Sequence, residues 1–153
     1  MHLQRWGFEP GASVVVTGAG SGIGRATAMR CAELGLSVAC WDIDKANAAS
    51  TVADIETAGG TARAATVDVT DVDAVAAAFQ TAAEAFGEIR HLVNNAGPRA
   101  ADPTTFSAGL VASAGSMQLV TEQFLALDPP AGSSVVNVAS VAGSIVGTDP
   151  IWY

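Results

Sequence analysis

Ser13-Val14-Val15-Val16-Thr17-Gly18-Ala19-Gly20-Ser21-Gly22-Ile23-Gly24 decides the fold. Its first five residues are a β-branched run ended by glycine, the pattern of a strand buried on both faces. A helical stretch follows, with Ile23, Thr27, Cys31 and Leu34 spaced for one face and Gly35 to stop it. The glycines therefore sit between a strand and a helix. In that place glycine permits a tight turn, lets backbone approach a pyrophosphate, and lets helix pack closely on strand. The helix start offers unbonded N–H groups and the positive end of its dipole to the phosphates. A phosphate loop of the Gly-Lys-Ser/Thr type is excluded, because no such triplet follows.

Outward from this turn, strand and helix alternate. Residues 37–41 form a second short apolar strand. Lys45 to Ala58 reads as a helix with Ala48, Val52 and Ile55 inward, closed by Gly59-Gly60. A third strand runs near Thr61–Val67. Thr70 is placed to cap a helix carrying Val72, Val75, Ala76, Phe79, Ala83 and Phe86 at helical spacing up to Gly87. Ile89–Val93 is a fourth strand, about Phe106–Leu127 a fourth helix stopped by Asp128-Pro129-Pro130, and Ser134–Ala139 a fifth strand. This alternation predicts one doubly wound α/β domain over residues 1–153, a parallel sheet with right-handed crossovers and helices on both faces.

Composition narrows the function classes. Half of the 153 residues are hydrophobic and 14% are charged, enough apolar material for a packed core. A net charge of −8, with seven scattered basic residues, argues against nucleic acid. No apolar run reaches the roughly 18 residues of a membrane span. Met1 to Trp6 lacks the apolar centre of a signal peptide, so a cytoplasmic setting is expected. Cys31 and Cys40 read as small buried hydrophobes, and His2 and His91 form no metal cluster.

About twenty residues past the turn, Asp42 closes the second strand. A carboxylate there accepts hydrogen bonds from both hydroxyls of an adenosine ribose and repels a 2′-phosphate, which favours NAD over NADP. The competing reading is a helix cap, a place that Asp42 and Asp44 both suit.

With these residues in view, Thr17–Gly24 resembles the Thr-Gly-x-x-x-Gly-x-Gly turn of the short-chain dehydrogenases/reductases. Asp68-Val69 resembles the pair that this family sets at the adenine ring, and Asn94-Asn95-Ala96-Gly97 its most recognisable tetrapeptide. The resemblance implies that Gly18, Gly20, Ser21, Gly22, Ile23 and Gly24, with Asp42, Asp68, Val69, Asn95, Ala96 and Gly97, bind NAD. It also implies hydride transfer between that cofactor and a small alcohol or carbonyl substrate. Ser140 would hold the substrate oxygen, and Tyr153, thirteen positions on, would exchange its proton. A free tyrosine titrates near 10, so a neighbouring cation must favour the phenolate for it to act near neutrality.

Two departures stand out. The lysine that the family places four positions beyond the tyrosine is not among the 153 residues, so the fold is expected to be cut short after the fifth strand and this chain alone to be inactive. Ser113 stands where the family often has an asparagine of a proton relay, and the loop from Gly97 to Phe106 is short. A non-catalytic module binding NAD or a related adenine nucleotide is the alternative. A complete chain of this family would be expected to form homo-oligomers.

Overall fold

The computed structural model describes residues 9–98 and 105–140. Five parallel strands make one sheet: β1 (Ser13–Thr17), β2 (Ser37–Asp42), β3 (Thr61–Thr66), β4 (Ile89–Asn94) and β5 (Ser134–Asn137), in the order β3-β2-β1-β4-β5. The expected doubly wound sheet is therefore present. The strand order reverses between β1 and β4, and the crevice at the carboxyl ends of those two strands is where open α/β sheets bind ligands.

The helices are α1 (Gly22–Glu33), α2 (Lys45–Thr57), α3 (Val72–Phe86), α4 (Phe106–Leu110) and α5 (Ser116–Leu125). On one face, α1 and α2 enclose Val14, Val16, Val38, Cys40 and Ile55; on the other, α3 and α5 enclose Val15, Trp41, Phe79, Leu92 and Phe124. Trp41 meets Phe79 edge-on at 4.7 Å and 70°, a geometry worth about 0.5–1.5 kcal/mol beyond burial. Because Trp41 immediately precedes Asp42, this packing also fixes the end of β2. Among the described residues, no helix is long and apolar enough to cross a membrane.

Several local expectations are corrected. On α1 the buried residues are Gly24 and Ala28, and Cys31 and Leu34 pack against the core as expected, whereas Ile23 is 65% exposed. The reason is steric: α1 lies so close to β1 that only a residue without a side chain fits at position 24. The cap of α3 is Asp71, which accepts from the N–H groups of Asp73 and Ala74, while Thr70 bonds Asp68. A carboxylate is the stronger acceptor at a helix N-terminus, and it also meets the dipole. On α3 the buried set is Val75, Ala78, Phe79 and Ala82, and Val72 and Ala76 face outward. The single fourth helix resolves into α4, a π-turn over Val111–Gly115, and α5, and β5 stops at Asn137.

Candidate functional site

Every element of the crevice follows from a few residues at strand ends. Gly18, with φ of +65°, turns the chain out of β1. Ser21 occupies the cap of α1 in extended conformation, yet its hydroxyl makes no capping bond, and the first turn carries no acidic residue. The N–H groups of that turn are thus left facing the crevice, as an anion-binding helix start requires. A Cβ on Gly24 would lie 2.0 Å from the Gly18 carbonyl oxygen, and one on Gly20 would lie 2.7 Å from Asp42 Oδ2. Backbone at both places is packed where no side chain fits.

Thr17 and Asn95 lock this turn to the loop after β4. The Thr17 hydroxyl accepts from Asn95 N–H at 2.9 Å and Ala96 N–H at 3.0 Å, and donates to the Val93 carbonyl at 3.4 Å. Asn95 Nδ2 in turn donates to the carbonyls of Thr17 and Gly18. Its neighbour Asn94 is buried and points to the other face, where Nδ2 donates to Thr121 and Asn137 at 2.9 Å. The Asn pair therefore divides its work. Asn94 ties β4 to α5 and β5, and Asn95 shapes the crevice.

Asp42 and Asp44 separate the two roles that both suited in sequence. Asp44 caps α2 through the N–H groups of Ala46 and Asn47. Asp42 is half-buried at the crevice, where Oδ2 accepts from Gly20 N–H at 2.8 Å and Oδ1 from Asp44 N–H at 2.9 Å. Each carboxylate oxygen keeps a further lone pair for an incoming hydroxyl. Asp68 uses Oδ1 for the Thr70 N–H and hydroxyl.

These residues surround a cleft of about 610 Å³, within the roughly 300–1,000 Å³ of small-molecule sites. Gly18, Ser21, Gly22, Ile23, Asp42, Asp68, Val69, Asn95, Ala96 and Gly97 line it. Gly20 and Gly24 stand behind it, shaping the turn. The cleft is also lined by Ile43, Asp44, Asn47, Thr70, Pro98 and Ala112, which sequence reasoning did not single out as site residues. Ile43, 64% exposed, could have been noticed as an apolar residue directly following a strand-end carboxylate. Asn47 and Ala112 carry no local signal, since helices bring them in from elsewhere.

The remaining candidates are placed differently. Ser113 lies in the π-turn with its hydroxyl donating to the Gly109 carbonyl at 2.7 Å, and the residue of that turn lining the cleft is Ala112. Ser140 is exposed, three residues beyond β5, and is not among the lining residues. Tyr153 lies outside the described residues.

A family model described as short chain dehydrogenase matches residues 12–153. The chain belongs to the short-chain dehydrogenase family. The chain is 36% identical over 137 residues to a 3beta-hydroxysteroid dehydrogenase of Mediterraneibacter gnavus, covering 85% of the chain and 50% of that relative. Among solved structures it resembles a short chain dehydrogenase from Mycobacterium avium, with a TM-score of 0.78 and 33% identity over 87% of this chain and 55% of that one. It also resembles a 7 alpha-hydroxysteroid dehydrogenase complexed with NADH and 7-oxo glycochenodeoxycholic acid, with a TM-score of 0.81 and 27% identity over 92% of this chain and 58% of that one. The chain thus spans about half the length of these relatives.

Proposed function

We propose that this short-chain dehydrogenase binds NAD in the β1/β4 cleft and contributes that site to hydride transfer between the cofactor and a small alcohol or carbonyl substrate. The observation that carries the reading is Asp42, half-buried beside the free N–H groups of α1 and held by Gly20 and Asp44. Its carboxylate faces the ribose hydroxyls of the adenosine, and its charge opposes the 2′-phosphate of NADP. The turn at Gly18–Gly24 takes the pyrophosphate on backbone N–H groups, a fit supported by the absence of room for a Cβ on Gly20 or Gly24. Asp68 and Val69 border the adenine, and Asn95, Ala96 and Gly97 border the far side of the dinucleotide.

When bound, the nicotinamide ring supplies the hydride acceptor or donor. Ser140 holds the substrate oxygen and Tyr153 exchanges its proton. A tyrosine needs a neighbouring cation to ionise near neutrality, and the lysine four positions on is not among these 153 residues. The chain alone is therefore expected to bind the dinucleotide without turning it over. Calorimetric titration tests the binding: NAD should bind at least tenfold more tightly than NADP. Equal affinity for the two would refute the role of Asp42, and NADH formation by the homogeneous chain would refute its inactivity.

A further inference from the structure

The first turn of α2 brings a second polar side chain to the carboxylate of Asp42. Thr51, fully buried, donates to the carbonyls of Ala19 at 2.9 Å and Asn47 at 3.2 Å, fastening this turn of α2 to the glycine turn. Asn47 lies over Gly20 so closely that a Cβ on Gly20 would stand 2.6 Å from the Asn47 Cβ. Its backbone N–H is taken by the Asp44 cap; Asn47 is exposed and lines the cleft, and its carboxamide has no hydrogen-bond partner among the described residues. Asp42, as a carboxylate, only accepts hydrogen bonds; a ribose hydroxyl both donates and accepts.

We propose that Asn47 is a specificity-determining residue, its carboxamide N–H donating to the oxygen of the ribose hydroxyl whose proton goes to Asp42. Donor and acceptor then stand side by side and together match an unmodified vicinal diol. A deoxyribose lacking that hydroxyl leaves both the Asn47 donor and the Asp42 acceptor without it. A 2′-phosphate offers Asp42 a second negative charge in place of a proton. The inference rests on the reading of the cleft as an NAD site.

The test is titration of NAD, and of its analogues carrying 2′-deoxyadenosine or 3′-deoxyadenosine, into the wild-type chain and Asn47→Ala. Alanine keeps the Cβ that packs on Gly20 and removes only the carboxamide. Loss of one hydrogen bond should weaken NAD binding about three- to tenfold. On the analogue lacking the contacted hydroxyl, wild type and variant should agree to within about twofold. Unchanged NAD affinity in Asn47→Ala overturns the proposal, as does equal weakening on NAD and both analogues, which would mark Asn47 as merely structural. A wild-type chain that binds no NAD overturns the cofactor reading itself, a distinct result.

Discussion

Replacing Gly24 with alanine isolates the close approach on which the cleft is built. The new methyl carbon would sit 2.0 Å from the Gly18 carbonyl oxygen, 2.7 Å from its carbon and 2.5 Å from Asn95 Nδ2. Two of these three atoms are backbone, so no rotamer change can make room. Either α1 retreats from β1, or the turn deforms and breaks the Asn95 bonds to Thr17 and Gly18. Overpacking of this kind costs about 1–3 kcal/mol and occasionally more. Alanine recovers at most about 1 kcal/mol of helix propensity. With carbonyl oxygen as the obstacle, we take the upper end and expect a net loss of about 2–3 kcal/mol.

For a domain of this size such a loss lowers the melting temperature by roughly 4–12 °C. Urea unfolding followed by far-ultraviolet circular dichroism would measure it, with the midpoint falling and the slope unchanged. Gly97→Ala is the comparison, because a Cβ there meets nothing within 4 Å, and its stability should stay within about 0.5 kcal/mol. NAD affinity should collapse in Gly24→Ala, since the helix start no longer presents its N–H groups at the same place. If Gly24→Ala unfolds within 0.5 kcal/mol of wild type and still binds NAD, the contact geometry of the turn is wrong and the argument fails with it.

Three further outcomes follow from the same contacts. Thr17→Val leaves the N–H groups of Asn95 and Ala96 without their acceptor and should cost about 2–3 kcal/mol in urea unfolding; Thr17→Ser should restore most of it, and failure of that rescue would refute the latch. Asp42→Ala should lower NAD affinity at least tenfold, since bonds to a charged group are worth about 1.5–3 kcal/mol, and should narrow the gap between NAD and NADP; a gap that stays wide would place the discrimination elsewhere. Burial, and secondarily Cys31, pushes the Cys40 thiol up to about 12, so its contribution to stability is full below about pH 9, the ordinary thiol range, and is lost as pH rises toward 12. Denaturant titrations between pH 8 and 11 should show that decline, and Cys40→Ala should flatten it.

Much of the fold was legible because its signals are local. The β-branched run at residues 13–17, the glycines that punctuate it and the alternation of strand with helix depend on backbone preferences that a short window contains. The positive φ of Gly18, Gly35, Gly59 and Gly87 marks the turns that those glycines announced. The helix faces were less legible. Periodicity placed Ile23 inward, but the contact of α1 with β1 is set by Gly24, a residue with no hydrophobic signal. The sequence reading put Thr70 at the cap of α3, whereas Asp71 takes that place because its carboxylate reaches the N–H groups of Asp73 and Ala74. The π-turn at Val111–Gly115 was illegible, because it shifts helical phase by a single residue. That shift brings Ala112 to the cleft and leaves the Ser113 hydroxyl on its own helix.

The charge of the cleft completes the argument for how it selects a ligand. Asp42, Asp44 and Asp68 all line it, and among the described residues that line it none is basic. Of the basic residues nearby in sequence, Arg25 is paired with Asp54 on the outer side of α1 and α2. On the proposed reading, a pyrophosphate entering this site meets no side-chain cation among the described residues, and the dipole and N–H groups of α1 would balance its charge. Such groups cannot follow a displaced ligand as a flexible lysine can. They act only where the backbone holds them, so that in the proposed site Thr17, Asn95 and Gly24 would matter to binding without touching an anion. The carboxylates set the limit from the other end. They would tolerate two phosphates held at the helix start, but a third phosphate on the ribose would add its charge directly against Asp42. A site built this way would gain selectivity for the unphosphorylated dinucleotide from the same lack of cations, among the described residues, that would make its affinity depend on backbone geometry.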